Sequence, residues 1–205
     1  WEMVVHDLAV RCGLNVPEAK VEKFSKLGTT FLVKRFDRSG KQRVHFSSAM
    51  TMLGKKDGAN GSDGSSYLEI VSFLRANGAK PKRDLQELWK RVVFSMAISN
   101  TDDHFRNHGF ILSDEGWELS PLYDVNPDIY GEYLSLNVDE DNSSIDFDLA
   151  VDSAEFYGIE EKMAFEEIEN IKKIVRENWQ ILAKNYGINH GEIERMCPAF
   201  QICEV

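Results

Sequence analysis

Cysteine, cationic residues and long apolar runs are all scarce in this chain, and each shortage narrows the choices. The three cysteines, Cys12, Cys197 and Cys203, are an odd set without metal-ligand spacing, which argues against a disulfide framework and for a reducing compartment; a cytoplasmic protein is expected. No stretch approaches the roughly 20 apolar residues that cross a bilayer, and no basic-then-apolar leader opens the chain, so no membrane association is expected. Lysine and arginine number 24 against 34 aspartates and glutamates, a formal charge of -10. A field of that sign repels phosphate backbones, so direct nucleic-acid binding is not expected. With 205 residues and 42% hydrophobic content, one substantial core is within reach.

The chain opens in the middle of a pattern. Trp1, Val4, Val5, Leu8, Ala9 and Cys12 follow helical spacing up to Gly13, a C-cap residue, and an upstream region is therefore expected. Beyond Pro17, "TTFLVKRFDRSGKQRVHF" (29–46) predicts a hairpin turning at Ser39-Gly40. Ser47 is placed to cap a short helix to Leu53, and the glycine-rich, polar stretch 54–66 predicts a mobile loop. A helix is expected over 67–78, ended by Asn77-Gly78. Another begins at Asp84 with Glu87 completing a capping box, its stripe Leu85, Leu88, Trp89, Val92, Val93, Met96 and Ala97 facing the core. Short strands at "HGFIL" and "WELS", a strand at 133–137, an acidic stretch from Asp139 to Asp148, a long helix near 162–186 and a last one stopping near Pro198 complete the pattern. The class is α+β, mostly helical with small sheets.

The chemistry concentrates in "NTDDHFRNHGFIL" (100–112), which leaves the end of the buried helix. Asp102 and Asn107 stand five apart, a hairpin intervenes, and Asp124 follows in "YDV". That order suits phosphoryl transfer: a carboxylate near the attacking hydroxyl, then an amide oxygen and a second carboxylate as hard ligands for magnesium beside nucleotide phosphates. The protein-kinase pattern H-R-D-x-x-x-x-N, hairpin, D-F-G has the same order. An isolated Asp-x4-Asn pair is more commonly a loop held by Asx turns. His104 and His108 lack a third ligand at helical spacing for zinc. "GANGSDG" has glycines spaced unlike a phosphate-cradling loop, and Lys34 in "FLVKRF" follows rather than precedes the nearest helix with a glutamate, the reverse of the kinase order.

Four blocks taken together, "LAVRCGLNVPEAKV" (8–21), "FLVKRFDR" (31–38), "SNTDDHFRNHGFIL" (99–112) and "WELSPLYDVNP" (117–127), resemble the HipA family of serine/threonine kinases that act as bacterial toxins. The resemblance extends to about residue 130 and implies a protein-kinase-like fold in which this chain supplies mainly the larger helical lobe (47–205), with 1–46 as hinge and remnant of the smaller lobe. It implies Asp102 as catalytic base, Asn107 and Asp124 as magnesium ligands, His104 and Tyr123 beside the nucleotide, and Lys34, Arg35 and Phe36 as a hinge against adenine. Glu2 falls where the family has an early-helix glutamate, and helix-start solvation is the other reading of it. ATP and Mg2+ are the implied cofactors. A protein substrate, an aminoacyl-tRNA synthetase in the family, and a DNA-binding antitoxin are the implied partners. The family's phosphate-covering loop and upstream lysine have no counterpart in these residues, so weak or no activity by this chain alone is expected. A non-catalytic kinase-fold binding module is the alternative, and a metal-dependent phosphohydrolase using Asp102, Asp103 and His104 is a third reading. Arg106 is expected to pair with a carboxylate of the motif or its partner strand.

Overall fold

The computed structural model describes residues 1–26 and 28–204. Its first helix, α1 (Glu2–Arg11), buries Val4, Val5, Leu8 and Ala9, the residues its periodicity marks. Gly13 follows with φ +72°, a conformation that side chains with a Cβ rarely adopt.

The expected hairpin over 29–46 is a different arrangement. Strand β1 (Ala19–Ser25) pairs antiparallel with β2 (Gly28–Val33), and the Ser39-Gly40 turn carries only the two-residue strands β3 (Arg38–Ser39) and β4 (Gln42–Arg43). The segment after Pro17 is thus a paired strand. Its alternation is weak because most of the ribbon is solvent-exposed, and without one buried face the sequence specifies neither partner nor register. Phe46 belongs instead to β5 (Phe46–Ser48), which pairs with β6 (Gly109–Ser113), and β6 pairs in turn with β7 (Gly116–Leu119). This three-stranded sheet carries the hairpin expected at "HGFIL" and "WELS".

Ser48, one residue beyond the expected cap, accepts the Thr51 N–H and starts α2 (Ala49–Met52). The glycine-rich stretch is more ordered than expected. Asn60 caps a 3-10 turn at Gly61–Asp63, Gly61 N–H donates to Ser135 O at 2.8 Å, and Asn137 Nδ2 donates to Gly61 O at 3.1 Å. Helix α3 (Tyr67–Asn77) follows a Ser66/Glu69 capping box.

Helix α4 (Pro81–Ala97) starts three residues before Asp84, with proline in its first turn. Asp84 is buried, accepting from Leu119 N at 3.0 Å and from Arg83. Glu87 binds Arg91 and the Asn15 N–H rather than closing a capping box. The expected apolar stripe of α4 is entirely buried, against α3 on one side and against α5 (Phe147–Ser153) and α6 (Glu161–Asn185) on another. The 133–137 segment forms no strand: Leu134 and Leu136 are buried by alternation, yet no neighbouring strand offers a ladder, only single bridges from Tyr133 to Ser144 and from Ser66 to Asn137. In the acidic stretch, Asp139 accepts the N–H groups of Asp141 and Asn142, and Asp146 caps α5. These carboxylates shape turns. The last helix, α7 (His190–Phe200), runs two residues past Pro198 because Ala199 and Phe200 are buried, Phe200 stacking on Trp179 at 4.5 Å. That packing outweighs one lost backbone bond. No helix among the described residues is long and apolar enough to cross a membrane.

Candidate active site

Helix α4 ends at Ala97, and Ser99, with φ +51°, turns the chain sharply into the polar loop. Asn100 N–H donates to Ser95 O at 2.8 Å, and Ser99 O accepts the Asp128 N–H at 3.0 Å. Thr101 Oγ1 donates to Asp128 Oδ2 at 2.7 Å, joining the loop a second time to the segment after β7. At its far end the loop gives its Phe105 and His108 carbonyls to the N–H groups of Met50 and Ala49 at the start of α2.

Asp103 anchors this loop from below. Buried beneath the surface, it accepts from Tyr67 Oη at 2.7 Å and Ser95 Oγ at 3.1 Å, and His108 Nε2 lies 2.9 Å from its other oxygen. Burial alone favours the neutral acid, but His108, Tyr67 and Ser95 together hold the carboxyl below its ordinary value. Burial, aided by Asp103, pushes the Tyr67 hydroxyl well above its own. Asp102, the preceding residue, has a side chain 89% exposed and makes no side-chain hydrogen bond among the described residues. One carboxylate holds the loop and its neighbour is exposed to solvent.

Asn107 closes the arrangement. Its Nδ2 donates to Asp102 O at 2.9 Å and to Asp124 O at 3.4 Å, so it bridges the two segments that carry the carboxylates. Its Oδ1 remains without a hydrogen bond among the described residues. Asp124 has φ +56°, and it and Ser99 are the only non-glycine residues with positive φ among those described. Backbone held in that region by its surroundings is often found where a side chain must be aimed at a ligand.

The remaining expected site residues divide. His104 Nε2 lies 3.9 Å from Asp102 Oδ1 and 3.4 Å from the Arg106 guanidinium. Tyr123 donates to Arg106 O at 2.6 Å, and burial pushes its hydroxyl well above the ordinary value. Phe36 joins it, with ring centroids 5.6 Å apart, and Phe46 completes the aromatic group at 5.5 Å from Phe36. Lys34 and Arg35 point elsewhere, to Glu18 at 2.8 Å and to Asp37 at 2.7 Å, both cations largely exposed. Arg106 pairs with Asp57 at 2.9 Å, in the glycine-rich stretch and outside the motif and strand expected to supply its partner.

Two hollows flank the loop. One is shallow and largely apolar and is lined by Glu2 and Val5 of α1, Phe31 and Val33 of β2, and Tyr123 and Asp124. The other lies between the Lys56–Asn60 loop and Asp102, His104 and Arg106. Of the two readings the sequence allows for Asp103, orienting the loop or being solvated, the buried network fits the first; the second hollow was not foreseen from the sequence. The hollow has no local signal, since Asp57 and Arg106 are 49 positions apart, and the Tyr67 partner of Asp103 lies 36 positions away. Asp103 is turned into the core while Asp102 is exposed, so Asp102, Asp103 and His104 do not converge as a phosphohydrolase would require. Among the described residues no group of three or more His, Cys, Asp or Glu is placed to hold a metal.

A helical lobe with small antiparallel sheets, and a polar loop that leaves α4 and is tied to the segment after β7, form a protein-kinase-like fold. The model of the HipA-like C-terminal domain matches residues 1–180, and the chain belongs to that family. It is 28% identical over 162 residues to the serine/threonine-protein kinase toxin HipA of Shewanella oneidensis, covering 68% of this chain and 37% of that protein. The structure of a HipA, HipB and operator DNA complex from Shewanella oneidensis MR-1 superposes with a TM-score of 0.79 at 22% identity, over 99% of this chain and 54% of that one. The Helicobacter pylori proinflammatory kinase CtkA gives 0.57 at 14% identity, over 98% and 85%. The chain thus spans little more than a third of that curated relative.

Proposed function

We propose that this chain is the larger lobe of an ATP-dependent serine/threonine protein kinase of the HipA type. The observation that supports the reading is the Asn107 side chain, whose Nδ2 donates to the backbone carbonyls of both Asp102 and Asp124 and so ties together the two segments that carry the proposed base and metal ligands. In the proposed reaction a serine or threonine oxygen bonds to the γ-phosphorus, the bond to the β,γ-bridging oxygen breaks, ADP departs, and the hydroxyl proton passes to Asp102.

The donor set fits magnesium: two hard oxygens, from Asn107 Oδ1 and the Asp124 carboxylate, leave most coordination positions to phosphates and water. Bound there, the ion would neutralise phosphate charge. Tyr123 and Phe36 offer an aromatic wall to the nucleotide, and His104 lies beside Asp102. Lys34 and Arg35, paired outward, would serve the nucleotide through the backbone that follows β2 rather than through their charges. The first hollow is lined by no lysine or arginine, so the charge that positions a triphosphate must be supplied from elsewhere. By itself this chain therefore transfers phosphate weakly or not at all. An antitoxin partner of the HipB kind is part of the proposal, supported by the complex in which the structural relative was solved.

Transfer of labelled γ-phosphate by the longer protein containing this chain tests the reading. Activity lost in Asp102→Ala with unfolding temperature unchanged supports it, because that side chain contributes little to packing. Normal transfer by the variant removes Asp102 from the role of base.

A further inference from the structure

Helix α4 carries a line of polar side chains along one face. Asp84, Glu87, Arg91 and Ser95 recur at helical spacing, and Asp84, Arg91 and Ser95 are buried. Each of the four bonds to a group outside the helix. Asp84 accepts the Leu119 N–H at 3.0 Å and Glu87 the Asn15 N–H at 3.0 Å, while Arg91 Nη2 donates to Ser120 O at 2.8 Å and Ser95 Oγ to Asp103 at 3.1 Å. One helix face thus grips both segments of the site, the loop through Ser95 and the segment after β7 through Asp84 and Arg91.

The second grip falls where the backbone has little else to hold it. Strand β7 ends at Leu119, and residues 120–128 belong to no helix or strand. Ser120 N–H still donates to Gly109 O at 2.9 Å, but its carbonyl has left the sheet and is taken by Arg91. Two residues on, Leu122 N–H donates to Asn15 O at 2.8 Å, and Asn15 is itself held by Glu87, which pairs with Arg91 at 2.8 Å. The Glu87–Arg91 pair therefore fixes both ends of the stretch 120–122, directly at Ser120 and through Asn15 at Leu122. Asp124 stands two residues beyond with φ +56°, a conformation that persists only where its surroundings enforce it.

For packing alone Arg91 is a poor choice. Its side chain is 1% exposed, and its Nη1 has no hydrogen-bond partner among the described residues. Apolar side chains of similar volume often replace a buried ion pair with no loss of stability, but they cannot donate to the Ser120 carbonyl.

We propose that Arg91, braced by Glu87, is a positioning residue for the magnesium site, fixing the backbone from Ser120 to Leu122 so that Asp124 presents its carboxylate beside Asn107. The inference rests on the kinase reading for the role of Asp124. Arg91 touches neither ion nor nucleotide in this assignment and acts through the segment it holds. Substitution of such residues behind metal ligands typically weakens metal binding about 10–100-fold.

The test is a mutant cycle read by calorimetric titration of a non-hydrolysable ATP analogue, with saturating magnesium, into this chain. Glu87→Met/Arg91→Met removes both members of the pair and leaves no unpaired charge; it is expected to weaken binding at least tenfold. In the Asp124→Asn background the same two substitutions should add less than twofold, because a residue that acts through the Asp124 carboxylate then has nothing to position. Adenosine, with no phosphate and no need of metal, should bind the native protein and the double variant within twofold. Arg91→Lys keeps the charge opposite Glu87 but lacks a planar fork to span Glu87 and Ser120, so it should follow the double variant, and it decides the matter if that variant is unfolded. Lys90→Met breaks the 2.9 Å pair with Glu167 of α6 instead and should leave analogue affinity within twofold. Unchanged analogue affinity on replacing Arg91, an equal loss with and without the Asp124 carboxylate, or a parallel loss of adenosine binding overturns the inference and leaves the kinase reading standing. If the native chain does not bind the analogue with magnesium, the kinase reading falls and the inference falls with it.

Discussion

Asp102 and Asp103 are adjacent in sequence, and the difference in their surroundings dictates opposite consequences for mutation. Removing Asp103 leaves the Tyr67 and Ser95 hydroxyls and the His108 ring facing an empty buried site, so Asp103→Ala should destabilise the fold by about 3–5 kcal/mol, as the loss of one member of a buried charged network does. Denaturant unfolding measures this. The sign of the pH dependence follows from the depressed carboxyl. Its stabilising contribution is complete above the unfolded carboxylate value of about 4 and is lost as pH falls through the lower folded value. Unfolding temperatures recorded downward from pH 5 should therefore drop more steeply in the native protein than in Asp103→Asn. An equal slope would mean that His108 and the two hydroxyls do not favour the ionised form. The "TDDH" run held both roles, but nothing local says which aspartate turns inward, because Tyr67 and Ser95 come from two different helices.

At the scale of elements, β6 enters the sheet at Gly109, where an added Cβ would lie 2.3 Å from the Phe46 ring. Phe46 packs in turn on Phe36 and Tyr123. Gly109→Ala should thus cost about 1–3 kcal/mol by overpacking and loosen the aromatic wall. Near-ultraviolet circular dichroism would register the second effect separately from the loss in stability. Helices α1, α3, α4 and α6 were legible from their apolar stripes, since one buried face repeats along each element. The exposed β1–β2 ribbon and the irregular 133–137 segment were not, because in neither place does local alternation name the partner. Expected cap positions at Ser47 and Asp84 shifted for a related reason. Ser48 takes the Thr51 N–H at the point where Ala49 must reach the loop carbonyl, while Asp84 is drawn inward to Leu119. A cap residue is identified by sequence alone only when no tertiary donor competes for it.

Across the whole molecule, cysteine reactivity reports on how completely the helical lobe closes. Burial pushes the Cys12 and Cys203 thiols up to about 12, whereas Cys197 is exposed on α7. Ellman's reagent at neutral pH should label one thiol quickly in the native protein and three in denaturant. Rapid labelling of all three without denaturant would show that the contact of α1 and the C-terminal turn with the core is open. The candidate site is a whole-molecule property as well. Asp102, Asn107 and Asp124 could be picked out by their order, but the convergence proposed for them depends on α4 delivering the loop, α2 receiving it and the segment after β7 folding back onto Ser99 and Thr101.

That convergence is most directly tested by calorimetric titration of a non-hydrolysable ATP analogue into this chain, with and without magnesium, in the native protein and in Asp124→Asn. Saturable binding that requires magnesium and weakens at least tenfold in the variant is the result predicted. No binding, or an affinity indifferent to both the ion and the substitution, would contradict the assignment of Asn107 and Asp124 as the ligands beside Asp102.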